Sequence, residues 1–317
     1  MTNRPLFLLS ALASVALLPM CSEFDDVPPI GMVQATDPVA DALMQKADAE
    51  TKPGRKISVL EKLLNDHPLA PNAPEARFKL AQAYDQKKDY RESFKQYSKL
   101  IERAPQSPLY TKALDRQLEM AMDAAQGRLL TPVLFGAWHV EMDSKVVIEW
   151  LDFIVDKAPY NRHSSLAAYT KAEYLERMKR PEEAREAYRR YVERYPESPE
   201  APKAQMRVAQ LWAESHTRGD RNLSNITSAR EAYEEFSLRF PNHKSVGEAK
   251  TEAGKMKSLL VQQELEVGRY YLERSREYVP AIFCFEDVIR QKNINPEAAK
   301  EAEALLERAR AASAPKS

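Results

Sequence analysis

Five prolines, Pro68, Pro105, Pro159, Pro196 and Pro241, close runs of helical periodicity at steps of 37, 54, 37 and 45 residues. Proline has no N–H for the helical ladder and its ring clashes with the turn before it, so each one ends a helix. The two equal steps alternate with longer ones, as though segments had been inserted into a shared unit. Inside that unit Ala81, Tyr84, Ser93, Tyr97, Leu100 and Pro105 follow one another at separations of 3, 9, 4, 3 and 5. Ala172, Leu175, Ala184, Tyr188, Tyr191 and Pro196 repeat the same separations. Ala209 and Trp212 open a further copy, which Ala229, Tyr233, Phe236 and Pro241 close after 8 extra residues. Gly268, Tyr271, Ala281, Phe285 and Val288 give another, one residue longer. Small side chains let two antiparallel helices approach, and the aromatic four residues after the second small position fills the space beside them. One helix pair cannot bury its apolar face alone, so a chain that repeats the pair must stack it on copies of itself.

These separations resemble the tetratricopeptide repeat over roughly residues 40 to 295. The resemblance implies an all-α superhelix, an α-solenoid of about five to six helix pairs plus a capping helix. Residues 40–68 read as a first pair, with Leu60 and Leu63 at the aromatic positions. Leu118 and Ala121 open a unit that closes at Leu151, Ile154 and Pro159, interrupted by 17 extra residues. Past Pro296, EAAKEAEALLERARAA reads as a charged helix capping the open end of the stack. The expected division is N-terminal repeats over 38–196 with an insertion near 122–146, C-terminal repeats and cap over 197–312, and a disordered tail over 313–317. Glycine supports a helical chain: there are 8 in 317 residues, against an average near 7%.

The insertion contains LLTPVLFGAW, Leu129 to Trp138, the least polar stretch outside the N-terminus. It reads either as an exposed docking loop for a partner or bilayer, or as a lengthened helix pair folding back on its neighbour, the second being favoured. The other insertion, HTRGDRNLSN, reads as a solvated loop.

The N-terminus carries Arg4 and an apolar run from Pro5 to Leu18, the length of an export signal's core and too short to cross a bilayer. Leu18-Pro19-Met20-Cys21 resembles the lipobox of bacterial lipoproteins, with Met20 where a small residue is usual. The alternative is a plain cleaved signal with an incidental cysteine. The resemblance implies lipidation at Cys21, a residue 1–21 signal and, with Ser22 next, an outer-membrane destination. Residues 22–37, with four acids and a Pro-Pro pair, read as a flexible tether. Three acyl chains exceed the two signals that stable anchoring needs.

Chemistry is thinly represented. The 47 Lys and Arg balance 47 Asp and Glu, which argues against a nucleic-acid partner. Five histidines lie without metal-ligand spacing, and HExxH, CxxC, GxGxxG, GxxxxGK[ST] and GxSxG are missing. The reading is therefore not an enzyme, with no catalytic residue, no metal and no cofactor. Cys284, between Phe283 and Phe285, reads as a small buried hydrophobe.

A stacked-pair solenoid offers a concave face lined by the first helix of each pair. On the repeat register the outward residues of that face are Phe78, Gln82, Asp85, Glu119, Tyr169, Glu173, Arg177, Met206 and Gln210. The last third is similar to BamD/ComL-type lipoproteins, tetratricopeptide-repeat subunits of the β-barrel assembly machinery. The likeness rests on the Ala229–Tyr233–Phe236 helix closed by Phe240-Pro241. It continues in the series Leu260, Glu264, Val267, Tyr270, Tyr271 and Arg274. It implies an outer-membrane-anchored periplasmic scaffold whose N-terminal repeats receive unfolded outer membrane protein peptides. Its C-terminal repeats would bind a BamA-like β-barrel assembly protein and accessory lipoproteins, with Arg269, Tyr270 and Arg274 on that surface. Cys284 stands where many members carry an arginine, so that contact does not transfer. Two other readings stand beside this one: a periplasmic tetratricopeptide adaptor of envelope or division coordination or of the secretin pilotin type, and a repeat-targeted hydrolase.

Overall fold

The protein is described by a computed structural model over residues 36–133, 138–159, 161–217 and 223–314. The signal, Cys21 and nearly all of the 22–37 tether lie outside the described residues. Thirteen helices follow one another among the described residues. They are α1 Pro38–Ala49, α2 Pro53–Asp66, α3 Ala73–Gln86, α4 Tyr90–Arg103, α5 Tyr110–Ala125, α6 Ser144–Lys157 and α7 Arg162–Arg177. Then come α8 Pro181–Arg194, α9 Ala201–Thr217, α10 Leu223–Arg239, α11 Val246–Tyr270, α12 Tyr278–Arg290 and α13 Pro296–Ser313. Successive helices pack as antiparallel pairs, six in all, and α13 covers α12 at the end of the stack.

The punctuation is local. Asp37, Asp89, Asp143, Asn161 and Asn295 each accept a hydrogen bond from a backbone N–H in the first turn of the helix that follows. Such caps satisfy donors that the helix itself cannot. Pro38, Pro53, Pro181 and Pro296 occupy the first helical position, where a missing N–H costs nothing. Pro68, Pro105, Pro159, Pro196 and Pro241 each lie two residues beyond a helix end, so the step between them is the step of the architecture. Turns inside a pair share another device. Lys88, Gly127, Lys179 and Arg276 adopt positive φ of 57 to 70°. At the first three, the next N–H reaches back five residues to a helix carbonyl: Asp89 to Tyr84, Arg128 to Asp123 and Arg180 to Leu175. This is the left-handed helix stop that glycine usually serves, built here mainly on basic residues.

The repeat positions form the core. Ala81, Ser93, Ala172, Ala184, Ala209, Ala229 and Ala281 are fully buried, and Tyr97, Tyr188, Tyr191, Tyr233, Phe236 and Phe285 are buried against them. Four apolar clusters succeed one another along the stack, on α1–α3, α3–α7, α7–α11 and α11–α13. The third runs unbroken from Tyr169 to Met256.

Two expectations need correction. The favoured reading of the first insertion as a lengthened helix pair does not hold. Leu130–Val133 (β1) and Trp138–Glu141 (β2) form a two-stranded antiparallel hairpin in register Leu130↔Glu141 to Val133↔Trp138. Gly127, in the left-handed region, stops α5, and Pro132 with Thr131 and Val140 beyond it disfavours helix. Trp138 on this hairpin is 67% exposed. The ends of the second insertion are helix rather than loop: α9 runs to Thr217 and α10 starts at Leu223, with Asn225 buried. Its centre, residues 218–222, lies outside the described residues. Among the described residues no helix is long and apolar enough to cross a membrane.

Candidate functional site

Along the concave face the first helices of successive pairs are joined by a ladder of ion pairs. Asp48 on α1 meets Lys79 on α3 at 2.7 Å. Asp85 on α3 accepts two hydrogen bonds from Arg116 on α5, at 2.7 and 3.1 Å. Glu176 on α7 is held by Arg207 on α9, whose Nε and Nη2 donate at 2.9 and 2.6 Å. In these three the base lies 31 residues after the acid, while Asp115–His163 and Glu173–Lys203 join first helices at separations of 48 and 30. The repeat that stacks the helices therefore also brings an acid of one pair to a base of the next. Sequence reasoning picked Asp85 but missed Arg116, Glu176 and Arg207; the shared spacing was the signal that could have found them.

Two cavities open on this face. The larger, about 770 Å³, lies between α7, α9 and the turn before α11. Tyr169, Glu173, Arg177 and Gln210 line it, together with Met206, Lys203 and the Glu176–Arg207 pair. The other, about 700 Å³, lies between α3 and the α4–α5 turn and takes Phe78 and Gln82 into its wall. Asp85 joins these two in an adjoining recess with Tyr97 and Arg116. The residues expected on the groove thus gather as two sets, one per cavity, while Glu119 turns aside to pair with Arg116 at 2.6 Å. Tyr169 and Met206 are not outward residues: they are 7% and 8% exposed. The Tyr169 ring sits edge-on to Tyr188 and Tyr191 at 5.8 and 5.3 Å, which draws it into the core and leaves one flank as cavity floor.

Arg269, Tyr270 and Arg274 do not reach the groove. Arg269 bridges Glu266 and, on α13, Glu301, while Tyr270 is 60% exposed. Arg274 is exposed on a single π-helical turn, Tyr271–Ser275, that ends α11. Tyr271, next to it, packs on the core of the last pair.

The electrostatics of the larger cavity favour fixed charges. Burial alone would raise the Glu176 carboxyl, but hydrogen bonds and charge from Arg207, with Tyr188 donating at 3.2 Å, hold it below its ordinary value. Burial pushes the Tyr188 and Tyr169 hydroxyls above the usual tyrosine range. Arg207 also donates to Gln210 and Glu214, both at 2.9 Å. Such a wall carries preset donors and acceptors. No group of acids, histidines or cysteines among the described residues could hold a metal.

A pH test follows from Glu176. Its depressed value means that the pair stabilises the fold above the ordinary carboxylate value of 4.5 and loses that contribution as pH falls through the folded-state value. Glu176→Gln should cost about 1–2 kcal/mol at pH 7. The gap between variant and wild type should close only as pH falls below 4.5 and through the folded-state value, read from urea midpoints across pH.

Stacked helix pairs, a continuous concave wall and an inter-pair ion ladder define a tetratricopeptide-repeat interaction scaffold. A tetratricopeptide-repeat family model matches residues 75–107, the α3–α4 pair and the turn after it. The model of the YfiO family, described as outer membrane lipoprotein, matches residues 157–316, from the end of α6 through the cap. The chain belongs to this outer membrane lipoprotein family.

No curated protein matches the chain. Among solved structures it is similar to MamA 41-end from Desulfovibrio magneticus RS-1, at 16% identity over 67% of this chain and 99% of that one, TM-score 0.29. The C-terminal part of a repeat protein from Cytophaga hutchinsonii gives 13% identity, 84% and 98% coverage and TM-score 0.30. A tetratricopeptide repeat protein from Parabacteroides merdae gives 11%, 86%, 99% and 0.31.

Proposed function

We propose that this protein is a non-catalytic scaffold of the machinery that assembles β-barrel outer membrane proteins, anchored at the periplasmic face of the outer membrane by lipid on Cys21. The groove receives unfolded outer membrane protein peptides, with Phe78, Gln82 and Asp85 at one station and Tyr169, Glu173, Arg177 and Gln210 at the other. The last repeats bind a BamA-like assembly protein and accessory lipoproteins, and Arg269, Tyr270 and Arg274 belong to that contact.

One observation carries the reading. Within the matched stretch, Val267 and Tyr270 on α11 and Val279 and Phe283 on α12 are 38, 60, 76 and 63% exposed. Large apolar side chains left in water on neighbouring helices support a protein-binding surface. Exposed aromatics are the residues that dominate such contacts.

Affinity purification of the chain from membranes in mild detergent tests this. A BamA-like barrel protein should co-purify, and Tyr270→Ala with Phe283→Ala should lower its recovery about tenfold or more, at roughly 2 kcal/mol for a central aromatic. In the same cells Cys21→Ala should move the chain from the membrane to the soluble fraction. A wild-type chain that brings down no barrel protein would sink the assembly role.

A further inference from the structure

Arg77, on α3, is 9% exposed and among the described residues has one hydrogen-bond partner, the neutral Gln96 Oε1 on α4 at 3.3 Å. A guanidinium carries five donors, and buried cations are as a rule paired with an anion. Here no carboxylate of the described residues lies within ion-pair distance of it. The charge that it does feel is another cation, Arg103, which together with burial pulls its pKa down to about 10. Gln96, Lys99 and Arg103 lie along one face of α4, at i, i+3 and i+7. Lys99 is half-buried and also held down, by burial and by Arg77, Lys95 and Arg103, with Glu92 alone opposing. One stretch between α3 and α4 thus concentrates positive charge around a guanidinium that the fold has desolvated without neutralising.

We propose that Arg77, Lys99 and Arg103 form an anion site that takes a carboxylate from an acidic extended segment, beside the cavity whose wall Arg103 joins and independent of the partner surface on the last repeats. A carboxylate fits the fork of Arg77 through two parallel hydrogen bonds, and Lys99 and Arg103 supply the charge at its mouth. The carboxylate has two sources. One is a partner's acidic peptide. The other is the chain's own Glu23, Asp25 and Asp26, since the 11 residues from Asp26 to Asp37 reach about 36 Å when extended.

The test uses the full chain and a fluorescent acetyl-Glu-Phe-Asp-Asp peptide amide, read by anisotropy, beside the Gln-Phe-Asn-Asn analogue. Wild type should bind the acidic peptide about tenfold or more tightly than the analogue, and Lys99→Gln with Arg103→Gln should weaken it by a similar factor while leaving the buried arginine in place. Arg77→Met should abolish the preference and also raise the thermal midpoint by about 2–4 °C, because an unneutralised buried charge is replaced by apolar bulk. A purely structural arginine would lower that midpoint. Equal affinity for the two peptides, or Arg77→Met melting below wild type with binding intact, overturns the site. With Glu23, Asp25 and Asp26 converted to Gln, Asn and Asn, tighter peptide binding assigns the carboxylate to the chain's own acids; unchanged binding assigns it to a partner.

Discussion

Replacing Tyr191 by alanine should destabilise the protein by about 4 kcal/mol, within the usual cost of deleting a buried aromatic. The side chain is 1% exposed, and its ring meets Tyr169 on α7 at 5.3 Å and Tyr195 at 5.4 Å. Its hydroxyl joins Ser165 on α7 at 3.0 Å and Ser198 in the α8–α9 turn at 2.5 Å, and reaches Glu200 at 3.3 Å. One residue therefore ties the second helix of the fourth pair to its first helix and to the turn that Pro196 creates. Tyr191→Phe keeps the ring contacts and loses only the hydroxyl network, so about 1–2 kcal/mol should go. Because stability in such arrays sums over neighbouring contacts, Tyr191→Ala should also uncouple the halves of the stack. Urea unfolding of the alanine variant should show a lower midpoint and a shallower slope, whereas the phenylalanine variant should keep the slope. An alanine variant within 1 kcal/mol of wild type would mean that this junction does not hold the stack together.

Much of this architecture could be read from residue types because the relevant constraints are short-range or periodic. A proline two residues past each helix end, and small residues in step with aromatics, leave a one-dimensional signature. The six pairs and the cap follow from it. The hairpin did not, because four-residue strands carry little periodicity and the apolar run over Leu129 to Trp138 suits a buried helix equally well. Lys88, Lys179 and Arg276 stop helices in the left-handed conformation, and nothing separates them from helix-forming basic residues in the sequence. At the groove, position on the register located the residues but not their depth. Tyr169 shares its register with Phe78, 91 residues earlier, yet the Tyr188 and Tyr191 rings bury it. The ion ladder was legible in principle, as an acid and a base 31 residues apart. It becomes visible only once first helices are known to sit beside first helices, which is a fact of packing.

The longest helix contains its own controlled experiment on close packing. Gly254 and Gly268 both lie within α11. A Cβ added at Gly254 would meet nothing within 4 Å. One added at Gly268 would lie 2.7 Å from Phe285 Cε1 and 3.1 Å from Cys284 Cβ. Phe285 is fully buried and Cys284 is 6% exposed, so the ring has nowhere to swing and the Cβ can yield only if α12 moves. Glycine inside a helix costs about 0.5–1 kcal/mol relative to alanine. Gly254→Ala should therefore stabilise the protein by about that amount. Gly268→Ala gains the same helix term but meets an overpacking cost of about 1–3 kcal/mol, leaving a net loss of up to about 2.5 kcal/mol. Gly268→Val, with two further methyl groups aimed at the same ring, should lose about 3 kcal/mol or more. The loss should be local: hydrogen exchange on α12 and α13 should accelerate in the Gly268 variants while α3 to α8 keep their protection. If Gly268→Ala instead stabilised the chain as Gly254→Ala does, the close seat of α12 on α11 would be wrong.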